Sequence, residues 1–440
     1  MIPAAALALG GCFHAQPYAP EHTVATWRAM QAAPAGQPGA KTRDPSTPTL
    51  DEPLTAEQTY ELALAKNPDL AVLVARADVA AAEADAARQL DNPQLRLTNF
   101  DVEDALIGRP GINIGLRVPI PRPGTIRAEV EGARAAADAE ARLGDDARRL
   151  LRAEIYKRFA RLAALTAELE YVTRAAELQD ARRQQVGARL DAAVATRVDA
   201  ALARVAHAEA RDEVARIAAE RALVHAELEA LAGHSPLQFR VDPDELAFRD
   251  LALDRDALTE QALAARPELR AAHGRIGEAQ AEVYLARSKT WPWFDWAQVQ
   301  YRASPISTPA AFGFGVTLTL PVFSWNRGEI KAARALVHQR ELEARAEIAR
   351  VAREVAEALA RVERTAARVR EIEQGLLPEL EAAAREAEAA LSAGALDAVK
   401  AHEVAIRLLS VRRRHVAARL EHREAVIDLE AAVGKPLGRR

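Results

Sequence analysis

The chain carries nearly the same sequence twice. Residues 59–70, Thr-Tyr-Glu-Leu-Ala-Leu-Ala-Lys-Asn-Pro-Asp-Leu, return as residues 258–269, Leu-Thr-Glu-Gln-Ala-Leu-Ala-Ala-Arg-Pro-Glu-Leu. In the same order Pro93 matches Pro292, Pro119 matches Pro321, Gly124 matches Gly328 and Asp199 matches Asp397. Finally Glu227-Leu-Glu-Ala-Leu-Ala-Gly233 matches Asp428-Leu-Glu-Ala-Ala-Val-Gly434. A duplication this ordered constrains the architecture before any single residue is interpreted. Two copies are too few for a solenoid and suit a pseudo-symmetric unit that builds a larger ring.

A chain of 440 residues could hold two or three ordinary domains. Its composition points elsewhere. Alanine, arginine, glutamate and leucine dominate, and aromatics are only 5%, the signature of long helices. The net charge of −4, with 28% charged residues of both signs interspersed, leaves no electrostatic footprint for nucleic acid. No stretch has the roughly 20 uninterrupted apolar residues of a membrane helix, so any membrane crossing must be made by strands.

Cys12 is the only cysteine, which excludes a disulfide framework and a multi-cysteine metal site. It follows an alanine-rich apolar start and Leu9-Gly10-Gly11, which looks like the lipobox closing a bacterial lipoprotein signal. The expectation is a signal remnant over 1–11, a lipidated Cys12 and a polar, proline-rich tether over 12–53. The positive n-region of such a signal is missing, so the true start is expected upstream. The alternative is a chance cysteine.

The spacing predicts a helix from about Leu54, with Thr55 as N-cap and Gln58 completing a capping box. A second helix starts at Pro68, capped by Asn67, and runs to about Leu90. Residues 93–100 and 112–120 then alternate in the strand period. Residues 294–301 and 312–321 repeat this in the second half. Each pair reads as a long hairpin, over about 93–120 and 292–322.

Long helical stretches follow, over about 125–233 and 328–434. No proline occurs from Thr125 to Ser235. The stripes Leu151, Ile155, Leu162, Leu165, Leu169, Val172 and Ile348, Val351, Val355, Leu359, Val362, Val369, Ile372 are heptad-like seams. Gly187 with Ala195-Thr-Arg-Val-Asp199, and Ser392-Ala-Gly394-Ala-Leu-Asp397, read as turns between antiparallel helices. At ~1.5 Å per residue, each leading helix would be roughly 90 Å long. Pro378 should kink or break its helix, a new helix starting after Gly375. The predicted fold is therefore mainly α with membrane β: a first repeat over 54–240, a linker over 241–257 and a second repeat over 258–440.

Two hairpins per chain give four strands, too few to close a barrel, and the exposed edges need partners. Three copies would give twelve. Trp291, Trp293, Trp296 and Trp325, four of the five tryptophans, lie in or beside the second hairpin with Tyr301. They read as an aromatic girdle at a membrane–water interface. The alternative is a soluble sheet packed on helices.

Taken together, the doubled Ala-Leu-Ala-x-x-Pro-(Asp/Glu)-Leu opening, a hairpin in each half, Pro119 or Pro321 before Gly124-Thr-Ile-Arg or Gly328-Glu-Ile-Lys, Leu377-Pro378-Glu and the Leu-Glu-Ala-x-x-Gly ending resemble the TolC-like outer-membrane efflux proteins. The resemblance covers nearly everything from Leu54 to Pro436. It implies a homotrimer with one shared twelve-strand barrel in outer-membrane lipid and a helical periplasmic tunnel. It also implies a periplasmic adaptor protein and an inner-membrane transporter, expected to be proton-driven, as partners. Asn92-Pro-Gln-Leu and the short first hairpin look more like the heavy-metal-efflux branch than the multidrug branch.

The resemblance places Asp397 where relatives carry a constricting acid at the periplasmic turn, with Asp199 as its counterpart. A carboxylate ring in a narrow pore selects for cations. Where relatives can carry a second acid, this chain has Lys400, which permits an Asp397–Lys400 pair. Both aspartates could instead be helix caps. Arg197 is either an adaptor contact or a surface charge. His415 and His422, seven apart, read as solvated coiled-coil histidines rather than metal ligands. No catalytic, cofactor-binding or metal motif occurs. The expected function is a passive exit duct for metal ions or small toxic compounds. The alternatives are the duct of a type I protein secretion system and a structural coiled-coil protein of the envelope.

Overall fold

The computed structural model describes residues 52–98, 112–251, 253–303 and 311–437. Cys12 and nearly all of the 12–53 tether lie outside these residues, as do the segments joining the two strands of each hairpin.

Helices α1 (Ala56–Lys66) and α2 (Pro68–Ala86) open the first half. Thr55 caps α1 and its backbone N–H donates to Gln58 Oε1 at 2.9 Å, completing the expected capping box. Asn67 Oδ1 accepts from Leu70 N at 2.9 Å, and Pro68 fills the first turn, where its missing N–H is not needed. Helix α2 stops at Ala86 rather than Leu90. Pro93 demands extended backbone at Asn92, so the helix cannot run on into the strand that follows.

Strands β1 (Gln94–Thr98) and β2 (Ile112–Pro119) follow, then α3 (Thr125–Asp191) and α4 (Arg197–Ala232). The second half repeats the order with α5 (Arg255–Ala265), α6 (Pro267–Ser288), β3 (Trp293–Ala303), β4 (Ala311–Thr319) and α7 (Arg327–Glu371). It ends with a π-helical turn (Ile372–Leu376), α8 (Leu377–Ser392) and α9 (Ala398–Val433). Gly187 does not end α3, which runs through it to Asp191. One glycine costs about 1 kcal/mol, too little to break so long a ladder. Pro378 does not start a fresh helix. Leu377 N bonds to Ile372 O across a widened π turn, which absorbs the proline without ending the coil.

The heptad stripes become two cores. Ile155, Phe159, Leu162 and Leu165 pack on Ile217, Val224 and Leu228. Val351, Val355, Leu359 and Val362 pack on Val426, Leu429 and Val433. Ile348 departs from its stripe and is 47% exposed. The pairs Arg361–Asp428 and Arg368–Glu421 set an antiparallel register in which Ile348 falls beyond the end of α9.

The duplication is also visible in hydrogen bonds. Asn67 Nδ2 donates to Leu231 O at 2.9 Å, and Arg266 Nη1 donates to Ala432 O at 3.0 Å. Each residue ties the break between two short helices to the end of its own return helix. Gly233 (φ +67°) and Gly434 (φ +77°) turn the chain out of α4 and α9 beside those same breaks. Arg266 is 3% exposed and does more than Asn67: it also holds Glu268 and, at 2.8 Å, Glu354.

Candidate functional site

The four strands form one antiparallel sheet in the order β1-β2-β3-β4, so the two hairpins are joined edge to edge through β2 and β3. Register sorts its residues into rows. Leu97–Ile114–Tyr301–Phe312 and Leu95–Leu116–Val299–Phe314 lie on one face. Arg96–Gly115–Gln300–Gly313 and Gln94–Arg117–Gln298–Gly315 lie on the other. Directly paired side chains share a face, so one side of the sheet is apolar and the other polar. The apolar side is bare: Phe314 is 84% and Phe312 70% exposed. Strands β1 and β4 have no second neighbour among the described residues.

Of the aromatics singled out in the sequence, Tyr301 lies on the apolar face with its ring 5.3 Å from that of Phe312. Trp291 and Trp325 are exposed at the helix end of the sheet. Trp293 donates its indole N–H to Ile120 O at 3.0 Å. Trp296 pairs with Thr317 and Pro119, which puts it on the polar face, under the Arg117 guanidinium at 3.6 Å. A bulge at Asp295 shifts the register between Phe294 and Trp296, which simple alternation cannot show.

The helical turns lie at the far end of α3, whose 67 residues at ~1.5 Å rise span about 100 Å. Both turns use the same backbone. Val194 N and Ala195 N bond to Arg189 O, as Ala395 N and Leu396 N bond to Ala390 O. Ala193 (φ +60°) and Gly394 (φ +70°) take the left-handed position. The return helices then start at the N-caps Thr196 and Asp397. Thus Thr196, not Asp199, is the structural counterpart of Asp397, and Asp199 stands where the second half has Lys400. Asp199 accepts from Thr196 N at 2.9 Å and from its hydroxyl at 2.7 Å, bonds that hold its carboxyl below the ordinary range.

Asp397 does not pair with Lys400, which is exposed. It receives both terminal nitrogens of Arg189, at 2.7 and 3.3 Å, and accepts weakly from Val399 N at 3.5 Å. The Arg189 bond is the main cause of its lowered carboxyl pKa. Arg182 and Glu403, 3.6 Å apart, add a second contact between the same helices. Sequence reasoning missed Arg189. A basic residue in the last turn of a helix is an ordinary signal, but its partner lies 208 residues away. Arg197 is exposed at the first position of α4.

The histidines differ from their expected solvated state. His422 is 4% exposed, 3.1 Å from Thr365 Oγ1 and packed on Phe248, because the linker covers this side of α9. His415 Nε2 lies 2.8 Å from Glu373 in the π turn, a carboxylate also held by Arg419. Midway along the helices, Arg413 of α9 holds Glu168 of α3 and Glu213 of α4. Among the described residues no cluster of three metal-ligating side chains occurs.

The comparisons agree with this geometry. Residues 59–234 and 258–435 each match the model of the outer membrane efflux protein family, one match per half. The cobalt-zinc-cadmium resistance protein CzcC of Cupriavidus metallidurans is 26% identical over 284 residues. That alignment covers 64% of this chain and 66% of the relative, slightly less than two thirds of its length. The fold is shared with the transmembrane channel protein CusC, at TM-score 0.69 and 17% identity over 86% of this chain and 92% of that one. It is also shared with the outer membrane protein VceC of Vibrio cholerae, at TM-score 0.65 and 21% identity over 87% and 97%.

Proposed function

The chain belongs to the outer membrane efflux protein family, and from that premise we propose that three copies close a shared barrel and form the passive exit duct of a tripartite pump. The observation that carries this reading is the sheet itself. It has one apolar and one polar face, two edges unpaired among the described residues and a pair of helical hairpins reaching about 100 Å away from it. In lipid an open edge is untenable, so the strands of each copy must continue into the next.

In this arrangement the apolar rows meet outer-membrane lipid and the polar rows line water. The two repeats, 54–240 and 258–440, act as one pseudo-symmetric sector, and the tether from a lipidated Cys12 holds it to the membrane. The tips meet a periplasmic adaptor and, through it, a proton-driven inner-membrane transporter. The duct supplies no chemistry of its own. Similarity to CzcC supports metal ions or small toxic compounds as the cargo. The Arg189–Asp397 link lies where a closed pore would narrow, and Asp397 would be its constricting acid, with Lys400, Asp199 and Arg197 around it.

The test is the behaviour of protein purified from the outer-membrane fraction in detergent. The expected result is a stable trimer that inserts in planar bilayers as a conducting pore. A soluble, non-conducting dimer would leave a structural coiled-coil protein as the reading.

A further inference from the structure

The polar face of the sheet carries unbalanced charge of one sign. Arg96 and Arg117 sit in adjacent polar rows, two residues apart along the strands, or about 7 Å. Among the described residues neither has a carboxylate in ion-pair reach. Their neighbours in those rows are Gln94, Gly115, Gln298, Gln300, Gly313 and Gly315, none of them charged. The Arg117 guanidinium carbon lies over the Trp296 ring, 3.6 Å from its centre. That contact fixes the guanidinium without neutralising it. The one carboxylate on the four described strands is Asp295. It sits in the bulge at the helix end of the sheet, accepts from Thr319 and lies 3.8 Å from Arg122, so its charge is already balanced.

We propose that the barrel lumen is a cationic collar that favours anionic solutes. The cargo class is then small anions, either organic carboxylates and phosphates or metals carried in anionic complexes, rather than bare divalent cations. The inference rests on the trimeric-barrel reading above. Around a threefold axis each arginine becomes a ring of three, and the two arginine rings lie closer together than one Debye length, about 10 Å at 0.1 M salt. Their fields therefore reinforce each other, and the low-dielectric protein and lipid around the lumen focus them into it. Rings of arginine are a physical means of admitting anions to a pore. The face holds glutamine and glycine in place of the carboxylates that would attract cations.

The experiment is the reversal potential of single pores in planar bilayers under a roughly tenfold KCl gradient, with the dilute side at about 0.1 M or below, where screening is weakest. In an Asp397→Asn background, which removes the constricting acid's own cation preference, the pore is expected to prefer chloride, and the arginine variants are made in it. The double variant Arg96→Gln, Arg117→Gln should still conduct, with its reversal potential displaced toward potassium. Arg117→Lys keeps the charge and should keep the preference. A conducting pore that prefers potassium, or whose reversal potential the double variant leaves in place, overturns the collar while leaving the duct intact. No conductance at all overturns the duct reading and the collar with it.

Discussion

Arg189 and Asp397 join the two helical hairpins at their tips by a two-pronged contact of 2.7 and 3.3 Å, although each belongs to a different half of the duplication. The pair is exposed and screened by water, so it contributes little to folding. Its interest lies in position. Asp397→Asn keeps an N-cap and removes the charge, while Arg189→Ala removes the partner. Both are expected to raise single-pore conductance by the same factor, and the double variant should add little. Asp397→Ala should in addition lose a little stability through the lost cap. Additive conductance changes would show that the two residues act separately.

Gly233 and Gly434 hold equivalent places but tolerate a methyl group differently. At Gly233 a Cβ would meet Lys66 O at 2.3 Å, whereas at Gly434 the nearest atom is Ala265 Cβ at 3.5 Å. Gly233→Ala is expected to destabilise by about 3 kcal/mol, combining left-handed strain with a backbone clash. Gly434→Ala should cost about 1 kcal/mol from strain alone. Thermal unfolding of both variants checks the difference, and equal losses would refute it.

Arg266 anchors a buried network that the first half lacks. Burial opposes the charge on Glu268, but the bonds from Arg266 win and keep its pKa low. Burial raises the pKa of Asp146 beside it. Arg266→Ala leaves Glu268 buried without its main partner and is expected to cost about 3–5 kcal/mol. The double variant Arg266→Asn, Glu268→Asp copies Asn67-Pro68-Asp69 and should lose distinctly less. Denaturant unfolding of the two variants decides the matter.

Glu213 gives the tunnel an acid limit. Arg216 chiefly, and then Arg413, hold its pKa at about 2, against 4.5 unperturbed. A carboxyl whose folded pKa is depressed stabilises above its unfolded value and loses that contribution as pH falls through the folded one. The α4–α9 contact should therefore be intact at neutral pH and weaken between about pH 4.5 and 2. Glu213→Gln should flatten stability across that window, as followed by helical signal during acid titration. An unchanged acid profile would contradict the assignment.

Much of this fold is determined by local chemistry and is therefore visible in the chain. Thr55 with Gln58 and Asn67 with Pro68 start helices wherever the chain goes, because their bonds span only a few residues. The heptad seams and the strand alternation are equally local, and the duplication supplies the order of elements. The sequence thereby determined a doubled unit of long helices with two hairpins. Tertiary structure decided what depends on distant partners. It paired Asp397 with Arg189 rather than Lys400, because the two hairpins lie side by side at the tips. It set Thr196, not Asp199, opposite Asp397, because the cap bond and not sequence alignment fixes where a helix begins. It buried His422 under the linker and returned Phe294 to the apolar face, opposite Leu318, through a bulge. Each of these rests on a contact or a register shift set by packing, and the periodicity of a single segment holds no record of either.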